Sequence, residues 1–450
     1  MTKDMTSGKP LKLIIGFAIP MFLGMLFQQF YSMVDTVIVG KFLGVGPLAG
    51  VGSTSSLNFL VIGFCTGVCN GFAIPVSQMF GARQESELRR FVANSAWLCI
   101  LFSIGITCIT AAACRPILHL MNTPEDIFEY AYLYILIIFL GIPTTFLYNI
   151  TAAIIRSLGD SKSPVVFLAI ASIINIVLDI VFIVIFRMGV EGPALATVIS
   201  QGVSGVLCLI YMKKKFEILK ISKEEWKMRS FYMKRLCYMG IPMGLQYSVT
   251  AIGTLVVQTA INGFGSLTVA GVTAAQRING FISCPIEAIG ATMAPYSGQN
   301  MGAGKLERVG KGLRDASILG FAVSAVLFVF VLLTGRELSL LFLDTADAQV
   351  VEYSYQFLVL TAAGYWLLVL VNAVRFTIQG MGFSVFAITS GALEMVARSL
   401  AGTVVVRLLG YTGICLAHPM AWIFADLFLI PAFFYCRKKV EGLYQEQQSA

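Results

Sequence analysis

Residues 14–40 read IIGFAIPMFLGMLFQQFYSMVDTVIVG, a run of membrane-crossing length that is apolar almost throughout yet carries one acid, Asp35. A bilayer core about 30 Å thick takes roughly 20 apolar residues per helix. A charged group inside such a helix costs about 2.5–3.5 kcal/mol on insertion scales, so Asp35 is a functional candidate from the outset. The run is also too long for the apolar part of a cleavable signal peptide.

The rest of the chain extends the pattern. Of 450 residues, 57% are apolar and 12% charged, too few charges to cover a soluble protein of this size. Twelve apolar stretches are predicted as spans, near 13–39, 48–74, 91–113, 127–150, 163–186, 190–212, 235–262, 268–295, 312–334, 350–378, 384–407 and 411–436. Runs of alternating polarity are missing, which argues against a β-barrel. The expected fold class is an all-α integral membrane protein. Its ten cysteines are scattered without a CxxC and read as small buried hydrophobes, not as a disulfide framework.

Lysine and arginine set the orientation. Twenty-four of them, from Lys3 and Lys9 through the long loop to Lys439, fall on one side, and five (Lys41, Arg115, Arg187, Arg336 and Arg407) on the other. Both termini are therefore expected in the cytoplasm, and the protein in the cell (inner, cytoplasmic) membrane. The long loop, KKKFEILKISKEEWKMRSFYMKR at 213–235, reads as a basic connector resting on anionic lipid headgroups; nucleic acid is not an expected partner.

The chain also repeats itself. AIPM at 18–21 returns as GIPM at 240–243, and LAGV at 48–51 as VAGV at 269–272. QMFGA at 78–82 returns as QNMGA at 299–303, and GVEGPALA at 189–196 as GYTGICLA at 410–417. All four recur at a shift of 221 or 222 residues. The division is an N-terminal six-helix lobe (1–212), the connector (213–234) and a C-terminal six-helix lobe (235–450). An even number of spans per half puts the pseudo-twofold axis along the membrane normal, with a cleft between the halves, as in rocking transporters.

Polar groups inside the spans concentrate in the first half. Gln28, Tyr31, Ser32 and Asp35 follow i, i+3, i+4, i+7 spacing and share one helix face. Asn175 and Asp179 lie one turn apart on the fifth span, and Thr197 and Gln201 one turn apart on the sixth. Tyr134 and Asn149 come from the fourth. If these faces converge, two carboxylates meet amide and hydroxyl oxygens, a set suited to Na⁺ or to a proton shared between acids. The plainer alternative caps each acid locally. In the second half, Glu394 and Arg398 stand i, i+4 in the order that favours an ion pair. Arg375 has Glu287 or Asp426 as possible partners. His418 holds the slot of Thr197. Pro20 and Pro242 match across the repeat, and Pro20 is the candidate hinge.

Nucleotide chemistry has no support: GAGKLE at 302–307 is only a near miss to a phosphate-binding loop. HExxH, GxSxG and GxGxxG are absent. The chain does not read as an enzyme and calls for no cofactor beyond a coupling ion, H⁺ or Na⁺.

QQFYSMVDTVIVGKFLG (28–44), IIRSLGDSKSP (154–164), NIVLD (175–179) and GVEGPALATVISQ (189–201), on twelve spans in two repeats, resemble the multidrug and toxic compound extrusion (MATE) family, nearest its DinF-type branch. The resemblance spans essentially the whole chain. It implies a secondary active exporter of amphipathic or cationic compounds, an antiporter alternating between two openings. It also implies a cation site at Asp35, Asn175, Asp179 and Thr197, the residues that would ligate the metal if the ion is Na⁺. Gln28, Tyr31, Tyr134, Asn149 and Gln201 would line the cavity, and the first span would bend at Pro20. Glu287, Arg375, Glu394, Arg398 and His418 remain possible second-lobe polar sites. Gln246, Gln258 and Asn372 stand in the spans where the NorM-like branch carries acids. The expected state is a monomer in a lipid bilayer. The alternatives are a lipid-linked oligosaccharide flippase, which would want Arg277, Arg375 and Arg398 together, and a non-transporting receptor or scaffold.

Overall fold

A computed structural model describes residues 4–343 and 348–449. The described residues are helical, with no strand among them. The first half comprises α1 (Pro10–Leu43), α2 (Val45–Ser53), α3 (Ser55–Gly81), α4 (Glu85–Leu120), α5 (Glu125–Leu140), α6 (Ile142–Ser157), α7 (Lys162–Ile180) and α8 (Glu191–Lys215). The second comprises α9 (Ser230–Asn262), α10 (Ser266–Gly302), α11 (Leu306–Leu340), α12 (Ala348–Ala363), α13 (Tyr365–Gly380), α14 (Val385–Leu400), α15 (Val406–Leu409), α16 (Tyr411–Cys415) and α17 (Ala417–Ser449). Among the described residues, eight helices are long and apolar enough to cross a membrane, or ten if α5–α6 and α12–α13 each count as one bent span. The other two expected spans fall on α10, diluted by Gln276, Arg277, Asn279, Glu287, Gln299 and Asn300, and on α14–α15, interrupted by a π-helical turn. Lys3, counted among the cytoplasmic charges, lies outside the described residues.

The bends are duplicated along with the helices. α5 meets α6 at 48° and α12 meets α13 at 50°. Glycine sits at each break because the neighbouring helix comes close: a Cβ on Gly141 would stand 2.3 Å from Val198, and one on Gly364 3.0 Å from Pro419. The turns after the first helix of each half match too, with Gly44 at φ 92° and Gly265 at φ 89°, a region closed to most side chains. π-helical turns follow α7 (Val181–Ile185) and α14 (Ala401–Val405) at equivalent places.

Two compact units result, and their boundaries differ from the 1–212 and 235–450 division drawn from the loops. One holds Leu23–Gly244; the other holds Met5–Phe22 and Leu245 onward. The early turns of α1 pack Ile14, Phe17 and Ala18 against Ile289, Met293 and Tyr296, which draws them into the second unit. The early turns of α9 belong to the first unit because glycines let the backbones touch. A Cβ on Gly71 would come within 2.5 Å of the Gly240 Cα, and one on Gly67 within 2.5 Å of the Met243 carbonyl oxygen. Both helices change unit two residues past a proline, Pro20 or Pro242. Outward faces carry exposed large apolar side chains such as Ile109 on α4 and Leu333 on α11, at 69% and 74% exposure. Apolar lipid accommodates these where water would not.

The connector is pinned to the first unit. Arg89 Nε donates to Glu225 Oε1 at 2.8 Å, the Arg229 backbone N–H donates to Asn94 Oδ1 at 3.0 Å, and Trp97 Nε1 donates to the Trp226 carbonyl at 3.0 Å. Burial pushes the Glu225 carboxyl up, but the Ser222 backbone N–H and the Arg89 guanidinium outweigh it and pull it down to about 2.

Candidate functional site

The first unit gathers its acids. Asp35 sits one turn after Tyr31 on α1, and Asp179 one turn after Asn175 on α7. Asp179 is fully buried and Asn175 almost so, while Asp35 is half-buried. The two carboxyls lie close enough to interact with each other directly. Asn175 Nδ2 donates to Thr197 Oγ1 on α8 at 3.5 Å, so α7 and α8 reach the site joined.

The acceptors of the site are short of partners. Asp35 Oδ1, both oxygens of Asp179 and Asn175 Oδ1 are buried with no hydrogen-bond partner. Among the described residues, no lysine or arginine bonds to either carboxylate. Two ionised carboxylates at this range, stripped of water, repel strongly. A proton shared between them or a small cation among the oxygens removes that penalty. The donor set is oxygen only, which fits a hard monovalent ion. Among the described residues, no group of three or more His, Cys, Asp or Glu comes together, as multivalent or soft metal sites commonly require.

The predicted lining residues divide. Tyr31 and buried Tyr134 lie in the field of both carboxyls. Asn149 spends its amide on the Thr145 carbonyl one turn back, at 2.9 Å. Gln201 Oε1 accepts from Thr145 Oγ1 at 2.9 Å. Gln28, nearly two turns before Asp35 on the same face of α1, is exposed. Three features escaped sequence reasoning. Tyr148 lies in the field of Tyr31. Ser200 and Ser204, buried with unpartnered hydroxyls, follow Thr197 at i+3 and i+7. That spacing was the available signal, but serine in apolar helices usually bonds back to its own backbone, as Ser172 does here to the Leu168 carbonyl. The third is the π-turn that follows Asp179, a distortion common at functional sites and without a residue signature.

The second unit is built otherwise. Glu394 takes Arg375 on one carboxyl oxygen and Arg398 on the other, the latter at 3.1 Å. Arg375 thus bonds to Glu394 of α14 and to neither Glu287 nor Asp426. Glu287 is exposed and accepts from Ser283 Oγ at 2.8 Å. The His418 ring packs between Phe357 and Trp422, at centroid distances of 5.9 and 6.0 Å. Arg277 is exposed.

A sequence model of the MatE family matches twice, over residues 20–181 and 242–424. The chain is similar to a "Probable multidrug resistance protein YpnP" of Bacillus subtilis (strain 168), 30% identical over 457 aligned positions that cover 99% of each chain. It is also similar to a "Multidrug export protein MepA" of Staphylococcus saprophyticus, 24% identical over 84% of each. Among solved structures, a MATE protein crystallised in complex with MaL6 superposes with a TM-score of 0.89 over 99% of this chain and 100% of its own, at 22% identity; that likeness speaks to the fold.

Proposed function

The chain belongs to the MatE family, transporters and not enzymes, and on that premise we propose that it exports amphipathic or cationic organic compounds by antiport against H⁺ or Na⁺. The observation that carries this is the pair Asp35–Asp179, three of whose four carboxyl oxygens are buried without a donor. The names of the similar proteins, for multidrug resistance and export, support the cargo class. Asp35, Asn175, Asp179 and Thr197 bind the coupling ion; Tyr31 and Tyr134 border it. A proton bridging the acids or a Na⁺ held by their oxygens neutralises the cluster, and its release restores the repulsion. Each bound state thus favours a different arrangement of α1, whose change of unit just past Pro20 makes that segment the hinge. One elementary charge moving down a 100 mV potential releases about 2.3 kcal/mol, enough to drive a neutral cargo uphill roughly fiftyfold, whereas a singly charged cation exchanged one for one draws only on the concentration gradient of the coupling ion.

The protein acts as a monomer in the cytoplasmic membrane with both termini in the cytoplasm, supported by the basic residues on that side. The flippase alternative is disfavoured: Arg375 and Arg398 are buried on a shared glutamate, and Arg277 is exposed on another helix. The test reconstitutes purified protein in vesicles and imposes a pH gradient or a Na⁺ gradient separately while following a fluorescent cationic dye. One gradient should drive dye movement in the wild type, and neither in Asp35→Asn. Undiminished gradient-driven transport by Asp35→Asn overturns the proposal.

A further inference from the structure

The polar cluster of the second unit contains groups that cation exchange in the first unit does not use. Glu394 has two carboxyl oxygens, and each accepts one guanidinium nitrogen, from Arg375 and from Arg398. The remaining donors are left over: Arg375 Nε, Arg398 Nε and Arg398 Nη1 are buried with no acceptor, and so is Asn372 Nδ2. Asn372 and Arg375 stand i, i+3 on one face of α13. These side chains are 9% exposed or less. Buried guanidinium N–H groups are strong donors, and leaving several unpaired is expensive.

The charges point to the ligand's sign. Two guanidiniums against one carboxylate leave a net positive charge. Asp426 on α17 lies in the field of Arg375 and Glu394 and would balance it, yet both its oxygens are buried without a donor. Leftover donors and leftover acceptors thus coexist without meeting. A small singly charged acceptor satisfies the donors; its binding competes with the Asp426 carboxylate charge, which a proton taken up together with the anion removes. A polyanion does not fit a single net positive charge.

We propose that the second unit holds a binding site for one monovalent anion, a halide or a carboxylate group, formed by Arg375, Arg398 and Asn372 and opposed by the charge of Asp426.

Trp422 offers a reporter, one turn before Asp426 on α17. Bromide is titrated into purified protein in halide-free buffer, and the Trp422 signal is taken as the difference between wild type and Trp422→Phe. Saturable quenching is expected, with the half-saturating bromide concentration falling about tenfold in Asp426→Asn as one opposing charge disappears. The double variant Glu394→Gln/Arg398→Gln should lose the saturable component; should it fail to fold, Asp426→Asn still decides. Two further arms separate the sources of the anion. Displacement of bromide by a carboxylate-bearing dye but not by its methyl ester identifies a cargo carboxylate; displacement by chloride alone identifies the inorganic ion. Quenching that stays linear in bromide and identical in wild type and Asp426→Asn overturns the site.

Discussion

The two units share a scaffold but treat buried charge in opposite ways. Bent helix pairs, π-turns and the proline-marked changeover of the first helix recur in both. In the first unit two acids face each other with no base. In the second, one acid is clasped by two bases. A buried carboxylate with fixed counter-ions has little reason to exchange anything. One without them must bind something mobile. Duplication therefore conserved the frame, while a few side chains decided whether a unit sets acid against acid or acid against base.

That contrast can be attacked directly. The largest effect is expected from Glu394→Gln, which strands two buried guanidiniums; breaking such a pair costs about 3–5 kcal/mol. Thermal unfolding in detergent measures it, and an unchanged midpoint would mean that the clasp carries no stability. Asp179→Asn, by contrast, removes repulsion, so the melting midpoint should hold or rise while gradient-driven export falls by about a hundredfold, equivalent to about 2.7 kcal/mol. If both variants behaved alike, the distinction between the units would collapse. A smaller effect tests the packing that assigns early α9 to the first unit. Gly71→Ala drives a methyl into the Gly240 backbone and should destabilise by about 1–3 kcal/mol, read from the same melts. The smallest concerns the connector. The Glu225 carboxyl is lowered from 4.5 to about 2, so its contribution is present above pH 4.5 and is lost as pH falls toward 2. Protease nicking of the connector should rise across that window in wild type and be raised already at neutral pH in Glu225→Gln.

Much was legible beforehand. The apolar runs announced the membrane class, since a bilayer tolerates little else at that length. The family model matches from residue 20 and again from 242, in keeping with the spaced motif pairs. Same-face spacing grouped Tyr31 with Asp35 and Asn175 with Asp179, because helical periodicity is a local property. Other features were hidden for stated reasons. Arg375 could not be matched to Glu394, because the pairing depends on which faces of α13 and α14 meet. Gln28 shares the nominal stripe with Asp35 but is exposed, since a stripe's width says nothing of where the neighbouring helix ends. From its charge the connector reads as resting on anionic lipid headgroups, and what charge does not reveal is that Glu225, Asn94 and Trp97 tie it down through contacts more than a hundred residues apart in sequence.

By itself the sequence determined the all-helical membrane class, the twofold repetition and the candidate acids, all of which follow from composition and from order along the chain. Only the tertiary structure decided that Asp35 meets Asp179 without a base, that Glu394 meets two, and that α1 and α9 each divide between units. Those outcomes depend on which helix faces approach and how closely. Glycines and bends set that approach through steric contact, which no stretch of sequence read alone contains.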